Sequence, residues 1–173
     1  NKVILIVFDF DGVFTDNKVY VNENGIESVR CDRADGLGID LLKRFIKKKS
    51  LKLDMFILSK EKNKIVKTRG KKLNIKVYNN QDCKLAFLKT YFKKKEIDFK
   101  SGLKKTIYLG NDINDLEVMM NVNYSVAPSD AHDLIKRNAD LVLKEKGGDG
   151  FVRKFIELFI GLNKLQEKEI IKL

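Results

Sequence analysis

The sequence predicts an α/β fold in which a parallel sheet carries helices on both faces. Two observations carry that expectation. Apolar runs recur with little polar alternation, as in VILIVF (3–8), LDMFIL (53–58) and KTIYLG (105–110). Strands buried on both faces read this way, whereas strands with one wet face alternate. Segments of helical period lie between these runs, and that alternation builds a parallel sheet covered by helices.

In chain order, VILIVF is the first strand. KVYV (18–21) and IESVR (26–30) flank NENG, whose Asn24-Gly25 step is a hairpin signal. The segment 35–49 is helical through Ile39, Leu42, Phe45 and Ile46. Strand 53–58, helix 63–73, short strand 75–78 and helix 83–95 follow, then strand 105–110 and helix 114–120. YSVA (124–127) is a strand closed by Pro128; 130–139 is a short helix, 140–143 a strand and 147–150 a glycine loop. Residues 151–162 form an amphipathic helix. One domain over 1–162 is expected, with 163–173 as a charged tail that could dock as a helix on a neighbour.

Hydrophobic residues make up 43% of the 173 residues and charged ones 34%, a globular balance. No apolar run approaches the roughly 20 residues that span a bilayer. The chain runs from Asn1 and Lys2 straight into a strand, so no export signal is read and a cytoplasmic protein is expected. Cys31 and Cys83 lack metal-ligand spacing and read as reduced structural thiols. The net charge of +11 does not point to nucleic acid. It is a lysine bias spread over the chain, with runs at 47–49 and 93–95 late in helices, where the dipole favours cations. No aromatic-interleaved basic strand accompanies it.

Ligands of such sheets sit beyond the carboxyl ends of the strands. That rim holds Asp9 and Asp11 after the first strand, Ser59 after the second, and Asn111, Asp112 and Asp115 after the third. Carboxylates two apart in extended backbone share a side and repel unless a cation intervenes. Oxygen ligands of this kind suit magnesium together with a substrate phosphate. Gly12 permits a sharp turn behind them, and Lys84 opens the helix that follows the short strand. Carboxylates, a hydroxyl and a lysine at neighbouring strand ends suit phosphoryl transfer.

DFDGVFTD (9–16 within VFDFDGVFTD), Ser59, Lys84 and GNDIND (110–115), in that order, resemble the haloacid dehalogenase superfamily. The hairpin, RADGLGI (33–39), APSDAH (127–132) and GGDGFVRKF (147–155) narrow the resemblance. They are similar to the branch that holds octulosonate 8-phosphate phosphatases, nonulosonate 9-phosphate phosphatases and the phosphatase-like domain of acylneuraminate cytidylyltransferases. The likeness spans about residues 3–160. It implies a Rossmann-like three-layer domain with a β-hairpin flap and no cap domain. It further implies a magnesium-dependent phosphatase for a 2-keto-3-deoxy sugar acid phosphate. Asp9 would be the nucleophile and Asp11 the acid and base, with its backbone carbonyl on the metal. Ser59 and Lys84 would hold the phosphoryl group and Asp115 would orient Lys84. Thr15, Asp35, Gly36, Glu61, Asp115 and the loop around Gly148 would border the substrate. Asp9, Asp11, Asn111 and Asp112 form the implied metal set. The branch assembles as tetramers in which one subunit's hairpin closes a neighbour's site.

Two departures stand out. Phosphatases of the branch usually read GDD where this chain reads Gly110-Asn111-Asp112, so a neutral oxygen replaces a charge. Octulosonate enzymes carry Ser/Thr-Gly-Arg after the second strand, and here Glu61 reverses the sign of that arginine. Residues 57–75 resemble the cytidylyltransferase-attached type, with Arg69 and Lys72 as candidate contacts to an anionic sugar. Asn111 and a first residue other than Met agree with the alternative, an assembly domain within a longer chain. His132, the only histidine, reads as structural.

Overall fold

The computed structural model describes residues 2–171. Six strands form one sheet: β1 (Leu5–Phe8), β4 (Asp54–Leu58), β5 (Lys76–Tyr78), β6 (Thr106–Leu109), β7 (Tyr124–Ala127) and β8 (Leu141–Val142). Their order is β5-β4-β1-β6-β7-β8 and each adjacent pair is parallel. A separate two-stranded hairpin, β2 (Tyr20–Val21) and β3 (Glu27–Ser28), stands between β1 and the first helix. That segment carries the hairpin alone, so the cap-less α/β expectation holds.

The period-2 geometry of β1 splits the core. Ile6 and Phe8 face a cluster with Ile39 and Leu42 of α1 (Arg33–Lys48), Val66 of α2 (Lys64–Leu73) and Phe155 and Ile156 of α7 (Phe151–Ile160). Leu5 and Val7 face the other layer, with Leu88 and Phe92 of α3 (Lys84–Lys94) and Val118 of α5 (Ile113–Met119). Ile135 of α6 (Asp133–Asn138) completes that layer. Burial of both faces is why these strands are apolar throughout.

Helix starts follow local chemistry. Asp32, Asn63 and Asp112 cap α1, α2 and α5 through side-chain oxygens. His132 caps α6 by accepting from the Leu134 N–H at Nδ1, the structural role expected of it. A five-residue helix, α4 (Phe99–Leu103), fills a segment without periodic signal; Asp98 caps it. After α7 a 3-10 turn (Leu162–Lys164) leads into α8 (Glu167–Ile171), and the last two residues of the expected tail lie outside the described ones. Among the described residues no helix is long and apolar enough to cross a membrane.

Candidate active site

Parallel pairing aligns the strand ends. Phe8 lies opposite Ile57 and Leu109, so the residues that follow all emerge at one rim. The Asp9 N–H donates to the Leu109 carbonyl (2.8 Å) and the Ser59 N–H to the Tyr78 carbonyl (2.9 Å), which fixes both exits. Asp9, Asp11, Ser59, Lys60, Glu61 and Asn111 line a cleft of about 170 Å3, bordered by Asp112. A larger groove of about 330 Å3 lies at the opposite end of β4. Its one carboxylate, Asp54, is already engaged by the Tyr91 hydroxyl (2.7 Å) and Lys95 (3.0 Å), so the chemistry belongs to the smaller cleft.

Behind the cleft lies a buried charge cluster. The Lys84 ammonium is 2.8 Å from Asp9 Oδ1 and 2.6 Å from Asp115 Oδ1. Asp115 is fully buried and satisfied: Tyr108 donates its hydroxyl to Oδ1 (2.7 Å), and the N–H groups of Asn111 and Asp112 donate to Oδ2 (2.9 and 3.3 Å). The Lys84 pKa is raised by its two carboxylates although burial opposes the charge. One ammonium shared by two buried carboxylates leaves a negative excess. Burial first, and the Asp115 charge second, therefore push Asp9 up to about 8. Asp11, half-buried at the rim, is pushed up to about 6 by burial and then by Glu61.

The excess charge calls for a cation at the cleft. Asn111 Oδ1 is buried and has no hydrogen-bond partner. The Asn111 amide packs on Gly12, where a Cβ would come within 1.9 Å of Nδ2, and the φ of +73° at Gly12 favours glycine there. Among the described residues no three His, Cys, Asp or Glu side chains converge as a metal cage. A carboxylate beside an unpartnered amide oxygen does fit a hard cation that completes its shell with other oxygens.

Other predicted residues support the loop instead of lining the cleft. Thr15 is buried, and its hydroxyl accepts from the N–H groups of Gly12 (3.1 Å) and Asn17 (3.2 Å). The Gly148 N–H donates to the Val13 carbonyl (3.2 Å). At Gly147 a Cβ would lie 2.0 Å from the Gly12 carbonyl oxygen, so the glycine loop sits against the loop after β1 as closely as backbone permits. Arg30, at the foot of the hairpin, bridges Asp16 (2.9 Å) and Asp149 (2.7 Å) and ties flap to both loops.

Several expected substrate contacts are corrected by burial. Asp115 is sealed behind Lys84 and can act only through it. Asp35 is fully buried; its Oδ1 accepts from the Arg153 N–H (2.9 Å) while Oδ2 has no partner, and burial pushes its carboxyl up to about 7. Arg69 turns inward and donates to the Asp32 carbonyl (2.9 Å), its guanidinium over Gly36. Arg69 and Gly36 therefore join α2 to the start of α1. Lys72 is exposed on α2 and does not line the cleft. The sequence reading missed Lys60, Asn17 and Asn114 as lining residues, and Tyr108 as the support of Asp115. Tyr108 sits in a strand where packing is the ordinary role, and only its hydroxyl partner distinguishes it.

This geometry agrees with what is found in other proteins. The profile of the haloacid dehalogenase-like hydrolases matches residues 38–155. The chain is 32% identical over 160 residues to the 3-deoxy-D-manno-octulosonate 8-phosphate phosphatase KdsC of Escherichia coli K12, covering 92% of this chain and 80% of that protein. The structure of the Yersinia pestis 3-deoxy-D-manno-octulosonate 8-phosphate phosphatase superposes with a TM-score of 0.78 at 30% identity, over 92% of this chain and 81% of that one. The Moraxella catarrhalis enzyme, solved with magnesium, phosphate and KDO, gives 0.80 at 27% identity over 92% and 86%. The chain belongs to the haloacid dehalogenase-like hydrolases. Within them it is similar to the octulosonate 8-phosphate phosphatases.

Proposed function

We propose that the chain hydrolyses the phosphate monoester of a 2-keto-3-deoxy sugar acid, an octulosonate 8-phosphate or a nonulosonate 9-phosphate. The observation that carries this reading is Asp9 held at the cleft by a buried Lys84 that Asp115 and Tyr108 orient. The names of the relatives favour the octulosonate ester.

Asp9 attacks phosphorus; an Oδ–P bond forms and the P–O bond to the sugar breaks. Asp11 gives its proton to the departing sugar oxygen. Water then attacks the aspartyl-phosphate, the Asp9–P bond breaks, and Asp11 takes the water proton. A carboxyl near 6 can serve in both directions close to neutral pH. Ser59 and Lys84 hold the phosphoryl oxygens, and Lys84 offsets their charge. Magnesium, held by Asp9, the Asp11 carbonyl and Asn111, with Asp112 nearby, would neutralise the anionic oxygens and draw Asp9 into its ionised form.

Val19, Tyr20, Val21 and Ile26 expose large apolar surface on the hairpin. This supports a homotetramer in which the flap covers a neighbouring subunit's site. A second reading rests on Asn111: a weakly active assembly domain of an acylneuraminate cytidylyltransferase. Phosphate release from both sugar esters with magnesium, against Asp9→Asn as the blank, tests the enzyme. Release that the blank lacks supports it; no release from a protein that still forms a tetramer favours the assembly domain.

A further inference from the structure

The cleft that receives the phosphoryl group is acidic, and this raises the question of how it accepts a substrate carrying a second negative group. Asp9, Asp11, Glu61 and Asp112 all border it. Lys84 is 3% exposed and engaged by two carboxylates, and the one N–H this leaves is taken by the phosphoryl group in the proposed reaction. Among the described residues, Lys60 is the lysine on this cleft's lining, and it is exposed. Among the described residues no carboxylate lies within ion-pairing distance of it.

The backbone around Lys60 is held firmly. Ser59 Oγ accepts from the Glu61 N–H (3.0 Å), the Gln81 N–H donates to the Ser59 carbonyl (3.2 Å), and the Asn80 N–H donates to the Glu61 carbonyl (3.0 Å). The Lys60 stem therefore starts from a fixed point. A second cleft of about 380 Å3, between the start of α3 and α5, is lined by Lys60 and the buried Lys84, with Asp82, Asn114 and Glu117. Lys60 and Asn114 belong to both clefts and mark their junction. The first cleft, at about 170 Å3, falls below the roughly 300–1,000 Å3 of a whole small-molecule site. A phosphoryl group fits there, and the sugar body needs the neighbouring space.

We propose that Lys60 is the specificity-determining cation of this site: at the junction of the two clefts its ammonium receives the carboxylate of the sugar acid. The inference rests on the sugar-acid phosphatase reading and names the residue that reads the acid. A carboxylate on an ammonium is a charge-assisted bond, about twice as strong as a neutral one. An ester without the carboxylate leaves Lys60 unengaged and gains nothing from it. Asp82, Asn114 and Glu117 then offer acceptors and a donor to the sugar hydroxyls.

The test compares wild type with Lys60→Gln and Lys60→Arg on three esters. These are the better of the two sugar-acid phosphates, the same ester with its carboxylate reduced to the alcohol, and p-nitrophenyl phosphate. Lys60→Gln is expected to raise KM for the acid about tenfold, to leave kcat for it within a factor of about two, and to abolish most of the preference for acid over reduced ester. Lys60→Arg keeps the charge and is expected to restore most of that preference. Equal losses on all three esters, or an unchanged preference, overturn the assignment. Calorimetry with the free sugar acid gives a readout without turnover. Wild-type binding that weakens about tenfold in Lys60→Gln supports the anchor; absent or equal binding overturns it. Failure of the wild type to release phosphate from every ester counts against the phosphatase reading, and calorimetry then still decides on Lys60.

Discussion

Asp9 combines the reaction with an electrostatic conflict. It shares one ammonium with Asp115, and burial holds its carboxyl near 8 in the absence of a further cation. Asp9→Asn keeps the shape and removes the proposed nucleophile, so phosphate release is expected to fall by on the order of 10³ or more, followed by a colorimetric phosphate assay. Asp35 is a different case, a buried carboxyl outside the cleft, with its pKa raised from 3.8 to about 7 chiefly by burial. The folded state then holds a proton that the unfolded state has released between pH 4 and 7. Stability therefore falls as pH rises through that window and levels off above about 7. The slope approaches about 1.4 kcal/mol per pH unit within the window. Asp35→Asn is expected to flatten the dependence and to melt higher than wild type at pH 8, read by circular dichroism at pH 5 and 8. A steeper pH dependence in the variant would contradict the assignment.

At the scale of elements, the loop after β1 is held by its own turn, through the Phe10 carbonyl and the Thr15 hydroxyl, and by the glycine loop packed on it. The glycine loop before α7 meets it backbone to backbone, and Gly147 has no room for a Cβ against the Gly12 carbonyl. Gly147→Ala is expected to displace that loop. It should cost about 1–3 kcal/mol of stability and about 10² in kcat, measured by chemical denaturation and phosphate release. The hairpin is the opposite kind of element: two residues per strand, exposed apolar side chains and no contact layer of its own. Isolated hairpins are marginal in water, which is consistent with a partner surface. Val21→Asp together with Ile26→Asp is expected to yield a monomer by light scattering with an unchanged circular dichroism spectrum. A tetramer that survives both charges would place the assembly surface elsewhere.

Across the whole molecule, the charge balance of the cleft predicts dependence on a divalent cation. EDTA is expected to abolish phosphate release and magnesium to restore it, assayed by titrating the metal back into the stripped enzyme. In the proposed metal set Asn111 supplies a neutral oxygen, so Asn111→Asp is expected to lower the magnesium concentration at half-maximal rate. Much of this was legible from the chain alone. The apolar runs determined a buried parallel sheet, because a strand covered on both faces tolerates no polar alternation. The turn residues after the runs placed Asp9, Asp11, Ser59 and Asn111 at one rim, since parallel strands end together. Lys84 could be named from its place at the start of the helix after the short strand, and the resemblance gave it a role in a chain full of lysines. Only the tertiary structure decided which polar residues face the cleft and which are sealed. Thr15, Asp35, Arg69 and Asp115 carry the same side chains as true ligands, yet Asp35 and Arg69 are engaged by backbone far away in sequence, and Thr15 and Asp115 are buried against backbone N–H groups of their own loops. Lys60 is the reverse case. Its sequence context does not set it apart, and it matters because every other charge on the lining of the two clefts is acidic or already paired, a property of the assembled surface that no local pattern records.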